Sequence, residues 1–180
     1  MRKPFDFNNS SALVIGGGTG IGKEIAKTLC EHGCKVIIAG RREDVLNETV
    51  DEINAAAEGN CSCSTVDVVS EKSIHNLISI VGKKFDGKLN ILVNSAGTNI
   101  RAPIEEVTSQ DFKEVIDTNL TGTFLVTKSA LPFLKSADYG RVINLASIFS
   151  SVSYPERLSY ASSKGGVLLF SKTIALELAE

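Results

Sequence analysis

The sequence predicts an α/β protein, a doubly wound parallel sheet held between two layers of helices. Three observations predict it. Short apolar runs alternate with stretches of helical spacing along the chain, the pattern of βαβ units. The runs are apolar throughout rather than at every second position, as in strands covered on both faces. A glycine-rich turn, "GGGTGIGK", follows the first run directly. Right-handed crossovers between such units wind them into an open sheet with helices on both sides.

The elements follow in order. "SALVIG" (11–16) reads as a buried strand, followed by the glycine turn and a helix over "GKEIAKTLCEHG". "KVIIAG" (35–40) is a second strand, with a helix from about Glu43 to Glu58. "CSCSTVDV" holds a third strand ending near Asp67, and a helix runs from about Glu71 to Phe85. "LNILVNSAG" is a fourth strand ending in a turn, followed by a helix from about Ser109 to Leu134 with Pro132 near its end. "GRVINLAS" is a fifth strand, and the last helix starts near Tyr160. No linker, low-complexity tract or longer repeat interrupts this rhythm, so residues 1–180 read as one domain. "GVLLFSKTIALELAE" is still helical at Glu180, with no glycine stop or proline breaker. The fifth strand would also leave an open sheet edge. The expectation is a domain truncated at its C-terminus and lacking its last strands, or one covered there by a partner.

Composition narrows the function classes. The chain is 43% hydrophobic and 22% charged, an ordinary globular balance. Net charge is −2 and the basic residues are scattered, which argues against nucleic acid. No apolar run approaches the roughly 18 residues of a membrane span. "MRKPFDFNNSS" has a basic start without the apolar stretch of a secretory signal. Cys30, Cys34, Cys61 and Cys63 form neither a C-x-x-C pair nor a common zinc spacing and read as reduced thiols. The expected location is the cytoplasm. His32 and His75 lie in polar helical stretches and are expected at the surface, so no metal site is expected.

The glycine turn admits two phosphate-binding readings. Gly17 to Lys23 spells G-x-x-x-x-G-K, but Glu24 follows where a P-loop needs Ser or Thr to hold magnesium, and a carboxylate there would repel a triphosphate. The other reading is a dinucleotide turn. Gly16, Gly20 and Gly22 permit a tight bend and close backbone approach, and the helix N-terminus attracts a pyrophosphate. The candidate cofactor contacts of the turn are Gly16, Gly18, Thr19, Gly20, Ile21 and Gly22. An NAD site usually offers an acidic residue at the tip of the second strand. This strand ends "AGRR", with Arg41 and Arg42 and no carboxylate. Arginine grips a 2′-phosphate by paired charge-assisted bonds, so NADP(H) is favoured over NAD(H).

"YASSK" places Tyr160 and Lys164 one helical turn apart, on one face. Alone that is an amphipathic face. A lysine held beside a phenol, however, favours its ionised form and makes it a better acid and base near neutral pH.

Taken together, G-x-x-x-G-x-G at 16–22, "NSAG" at 94–97, Asn119, Ser147 and Tyr160-x-x-x-Lys164 resemble, in order and over nearly the whole chain, the short-chain dehydrogenase/reductase family. The departures are Ile15, where the family usually has Thr, and Ser95, where it usually has a second Asn. The resemblance implies a Rossmann-type fold, with strands beyond those seen here. It implies Tyr160 as proton donor in reduction and acceptor in oxidation, and Lys164 as the neighbouring cation that also holds the nicotinamide ribose. Ser147 would bond the substrate oxygen, and Asn119 would support a water leading from Lys164 to solvent. Asp67 and Val68 would contact adenine, and Asn94, Ala96 and Gly97 would border the cofactor. The implied reaction moves hydride between nicotinamide and a carbonyl or secondary alcohol. A keto-sugar acid or a 3-oxoacyl thioester is the candidate substrate, since the chain looks like 3-oxoacyl-carrier-protein reductases, gluconate 5-dehydrogenases and tropinone-reductase-like members. "NIRAP" (99–103) and "IFSSVSYPERLS" (148–159) are candidate substrate lining. A homodimer or homotetramer through helices 109–134 and 160–179 is expected, because both carry apolar residues on more than one face. A sensor or scaffold that keeps the fold without turnover remains the alternative; a methyltransferase on a similar sheet leaves Y-x-x-x-K unexplained.

Overall fold

In the computed structural model, residues 6–57 and 60–179 are described. Five strands, β1 (Ser11–Ile15), β2 (Lys35–Gly40), β3 (Cys61–Thr65), β4 (Ile91–Asn94) and β5 (Arg141–Asn144), lie in the order β3-β2-β1-β4-β5. Every pairing is parallel, with Leu13 opposite Ile37 on one side and Leu92 on the other. Because successive side chains leave a strand on opposite faces, the apolar runs supply two cores. Leu13, Ile15, Ile37 and Leu92 pack on one face with Ile74, Leu77 and Val81 of α3 (Glu71–Lys84) and Val126 and Ala130 of α5 (Gly122–Ser136). Ala12, Val14, Val36 and Ile38 pack on the other with Ala26 and Cys30 of α1 (Gly20–Glu31) and Leu46 and Ile53 of α2 (Glu43–Ala56). The result is the three-layer, doubly wound Rossmann-type fold expected.

Boundaries differ in places. α2 ends at Ala56, and Glu58 lies outside the described residues. β3 stops at Thr65, so Asp67 sits in the loop beyond it. The helix expected over 109–134 is three pieces: α4 (Ser109–Ile116), a π-helix (Asp117–Thr121) and α5, which ends at Ser136 and contains Pro132 near its end as expected. α6 (Leu158–Glu177) begins two residues ahead of Tyr160. β5 is the outer strand of the described sheet, with Ile143 47% exposed, the open edge that the pattern predicts. No helix among the described residues is long and apolar enough to cross a membrane.

His75 is exposed as expected, whereas His32 is half-buried at the end of α1, its Nδ1 2.8 Å from the Thr28 carbonyl. All four cysteines are free, and Cys30, Cys34 and Cys61 are buried. Burial pushes the Cys34 thiol up to about 12. The neighbouring Cys61 thiol and burial push Cys30 up as well. Such thiols are packing groups rather than nucleophiles.

Gly22 lets α1 start close against the glycine turn. A Cβ on Gly22, in the first turn of α1, would lie 2.3 Å from the Gly16 carbonyl oxygen, a backbone atom that cannot yield cheaply. Gly165 in α6 has only the Ser150 carbonyl at 3.8 Å. Gly22→Ala is therefore expected to lower the unfolding free energy by roughly 1–3 kcal/mol. Gly165→Ala should leave it unchanged or raise it by up to about 1 kcal/mol. Urea denaturation of both variants checks this, and equal effects would refute the close-approach argument.

Candidate active site

β1 and β4 are neighbours, but the chain leaves them toward helices on opposite faces. A crevice opens at such a switch point, at the carboxyl ends of the strands. Its floor is tight. Gly16 turns with φ +75°, and a Cβ there would sit 2.7 Å from the Ala96 amide nitrogen. Its own N–H donates to the Ala39 carbonyl at 2.7 Å. Only two bare backbones pass here. α1 then starts at Gly20, and its N-cap Thr19 makes no side-chain capping bond. The first N–H groups of the helix thus stay available to an anion.

A cleft of about 780 Å³ stands over this floor. Its lining includes Gly16, Gly18, Thr19 and Ile21 from the glycine turn and Arg41 and Arg42 beyond β2. Asp67 and Val68 beyond β3, Ala96 and Gly97 beyond β4, and Tyr160 and Lys164 of α6 also line it. Gly20 and Gly22 do not line it; they make the turn and the helix start. Both arginines are exposed, and Asp67 uses Oδ1 to accept the Val69 N–H at 3.2 Å. The glycine cradle, the free helix start and the paired guanidinium groups fit a phosphorylated dinucleotide.

Asn94 is placed differently from the other cofactor candidates. It ends β4 as a buried residue, and Nδ2 donates to Thr127 Oγ1 at 3.0 Å and to Asn144 Oδ1 at 2.8 Å. Asn144 Nδ2 in turn donates to Ser171 Oγ at 2.9 Å. The Asn94 side chain thus ties β4 to β5 and α5, and the chain continues to α6.

Lys164 is the most constrained charge in the cleft. It is only 6% exposed, Nζ donates to the Leu145 carbonyl at 2.5 Å, and Nζ lies 5.8 Å from the centroid of the Tyr160 ring. Burial holds its pKa below the ordinary lysine value. Tyr160 is half-buried, and Phe149 meets its ring edge-on at 6.2 Å. Ser147 lies beyond the end of β5 as the cap of a short 3₁₀ turn (Ile148–Ser150). Its Oγ accepts the Phe149 N–H at 3.2 Å, while Ser150 Oγ donates to the Lys164 carbonyl at 2.8 Å. The turn that carries Ser147 is thereby fastened to α6. Ser147 itself is not part of the cleft lining; Leu145 and Ala146 just before it are.

Asn119 is fully buried in the π-helix. Its Oδ1 accepts the Thr98 N–H at 2.8 Å, and Nδ2 donates to the Thr98 carbonyl at 2.9 Å and to Ser163 Oγ at 3.0 Å. Ser163 Oγ donates to the Tyr160 carbonyl at 2.7 Å. Ser163, Thr98 and the Leu145 carbonyl are site residues that motif reading missed. Ser163 carries a usable signal, a small hydroxyl directly before the lysine. The carbonyl carries none, since every residue has one. Among the described residues no group of His, Cys, Asp or Glu is arranged to hold a metal.

The buried ammonium has a pH signature. A lysine with a lowered folded-state pKa binds fewer protons folded than unfolded at pH between that value and the ordinary ~10.4, so stability rises with pH across this window. The wild type should therefore gain on Lys164→Met as pH climbs toward the ordinary lysine value, read as the difference in urea midpoints. A flat difference would mean that the ammonium is not desolvated.

Residues 10–180 match the sequence pattern of the family described as short chain dehydrogenase. The chain is 35% identical over 167 residues to the uncharacterized oxidoreductase YxjF of Bacillus subtilis, covering 92% of this chain and 64% of that one. It is 31% identical over 171 residues to D-beta-hydroxybutyrate dehydrogenase of Rhizobium meliloti, covering 94% and 66%. Among solved structures, a variant of actinorhodin polyketide ketoreductase with NADPH superposes with a TM-score of 0.90 at 35% identity, covering 95% of this chain and 66% of that one. The chain spans about two thirds of the length of these relatives. With a family pattern matched along nearly all of its length, the chain belongs to the short chain dehydrogenase family.

Proposed function

We propose that the protein is an NADP(H)-dependent oxidoreductase acting on a carbonyl or secondary alcohol. The observation that carries this reading is the buried Lys164 ammonium beside the Tyr160 ring, in a cleft whose far wall is the glycine turn and two arginines. When bound, the nicotinamide supplies or accepts hydride at the substrate carbon. The rest falls to the chain. In reduction, the Tyr160 hydroxyl gives its proton to the substrate oxygen, and in oxidation it takes that proton back. The Lys164 cation favours the phenolate that this leaves. Ser147 accepts from a backbone N–H, which leaves its hydroxyl hydrogen free to steady the substrate oxygen as charge develops. Asn119 supports a water path behind Lys164; its side chain is occupied by Thr98 and Ser163, so the support comes from the loop it holds.

Arg41 and Arg42, with no carboxylate at the end of β2, support NADP(H) over NAD(H). Gly16, Gly18, Thr19, Gly20, Ile21 and Gly22 would carry the phosphates and Asp67, Val68, Ala96 and Gly97 the remaining cofactor. Asn94 would act only by shaping the end of β4. The names of the hydroxybutyrate dehydrogenase and the polyketide ketoreductase support a 3-oxoacyl substrate, and that of a putative gluconate dehydrogenase from Agrobacterium tumefaciens, with a TM-score of 0.90 at 29% identity over 97% of this chain and 68% of that one, supports a keto-sugar acid. Exposed Phe124, Leu169 and Leu176 on α5 and α6 support a homodimer or homotetramer through these helices. Free thiols throughout support a cytoplasmic location.

Purified protein should oxidise NADPH in the presence of a 3-oxoacyl thioester. Tyr160→Phe should cut the rate by about 10²–10⁴-fold while NADPH binding, followed by fluorescence, is retained. Undiminished turnover in that variant would remove Tyr160 from the chemistry. Binding of NADPH without reduction of any carbonyl in a broad panel would favour a sensor. Replacing Arg41 and Arg42 together by Ala should lower the preference for NADPH over NADH by at least about 10-fold, the size of one lost charge-assisted bond.

A further inference from the structure

α2 carries a hydroxyl on its buried face. Leu46, Thr49 and Ile53 are its buried residues, and Thr49 is 3% exposed. A helical Ser or Thr often returns its hydroxyl to the carbonyl four residues back. Thr28, Thr123 and Ser171 do so here, at 2.8, 2.7 and 2.7 Å. Thr49 does not. Its Oγ1 donates at 2.9 Å to the carbonyl of Gly18, 31 residues away in the glycine turn. Gly18 lies close against α2 at this point, where a Cβ would stand 3.2 Å from Leu46 Cδ2.

The peptide joining Gly18 to Thr19 is trans, so its carbonyl and N–H point in opposite directions. With the carbonyl drawn to Thr49, the Thr19 N–H is turned away from Thr49. Among the described residues it has no protein acceptor. A flipped peptide would present a carbonyl oxygen in its place and repel an anion. Gly18 and Thr19 line the same cleft as Arg41 and Arg42, and Thr49 itself does not. We infer that Thr49 is a positioning residue, which locks the Gly18–Thr19 peptide so that the Thr19 amide donates to a phosphate oxygen of the bound dinucleotide. Beside it on α2, Glu52 meets Lys23 of α1 at 2.5 Å and keeps the two helices in step. This inference rests on the dinucleotide reading above and adds the residue that presets the turn for it.

The test compares wild type, Thr49→Val and Thr49→Ser by titration with NADPH, NADH and adenosine. Thr49→Val keeps the shape and loses the donor; it should bind NADPH about 10-fold more weakly, the scale of one hydrogen bond to a charged group, and adenosine unchanged. Thr49→Ser should bind both within about 2-fold of wild type, since the donor that aims the amide is kept. A loss for NADPH alone assigns the amide to the 2′-phosphate and an equal loss for NADH assigns it to the pyrophosphate; both support the inference. NADPH affinity unchanged in Thr49→Val, or an equal loss for adenosine, overturns it. Should the valine variant not fold, the Thr19 amide resonance of wild type decides: it should move downfield on adding NADP⁺, and a stationary resonance overturns the inference. Wild type that binds neither dinucleotide overturns both this inference and the proposed function, whereas binding with an indifferent Thr49→Val overturns this inference alone.

Discussion

The site hangs on one buried amide. Asn119 holds both the N–H and the carbonyl of Thr98 and reaches Ser163 as well. With no exposure, any of these bonds left unmade would cost about 1–3 kcal/mol, so the group specifies a single arrangement. Three segments distant in sequence are fixed by it: the loop beyond β4, the π-helix and α6. Ser163 passes the constraint to the Tyr160 carbonyl, and Lys164 is the next residue. Gly97 lies between the amide and the ammonium, where a Cβ would be 3.2 Å from Asn119 Oδ1 and 3.9 Å from Lys164 Nζ. The π-helix fits this role, since such bulges interrupt helices most often at functional positions.

The electrostatics follow from that packing. Lys164 is drawn out of water by the elements Asn119 holds together, and burial then works against its charge. The Leu145 carbonyl and the face of the Tyr160 ring offset part of the loss. A cation in such a place interacts more strongly with a neighbouring phenol than one at the surface, because less water screens it. The same burial that costs stability therefore strengthens the interaction within the pair. Phe149, whose N–H donates to the Ser147 hydroxyl, meets the tyrosine ring edge-on.

The chain divides the work between its halves. The segment from β1 to β3 lines one end of the cleft with the glycine turn, the start of α1 and two arginines. The segment from β4 to α6 lines the other end with Gly97, Tyr160 and the buried Lys164. They meet where Gly16 runs against Ala96, a contact that no larger residue than glycine permits. That contact brings the two ends within one cleft, and the parallel order of the sheet is what places both strand ends on the same side.

The alternation of apolar runs and helical stretches determined the layers, the strand count and the direction of the sheet, because burial on both faces and right-handed crossovers leave few other solutions. The spacing of Gly16, Gly20 and Gly22 marked the turn, and Tyr160 and Lys164 marked themselves by sharing a helical face. Ile15 and Ser95, the departures from the family pattern, changed neither. What stayed hidden depends on contacts between residues far apart in sequence. The π-helix at Asn119 has no local pattern, since its helical residues read as ordinary ones until Thr98 and Ser163 occupy the side chain. The bonds from Asn94 Nδ2 to Thr127 and Asn144 form only because the neighbouring strand and helix arrive there. Thr49 is one hydroxyl among many until the turn folds against α2. Periodicity reports which face of an element is buried; it cannot report what that face will touch, and the partners of buried polar groups are settled only when the elements pack.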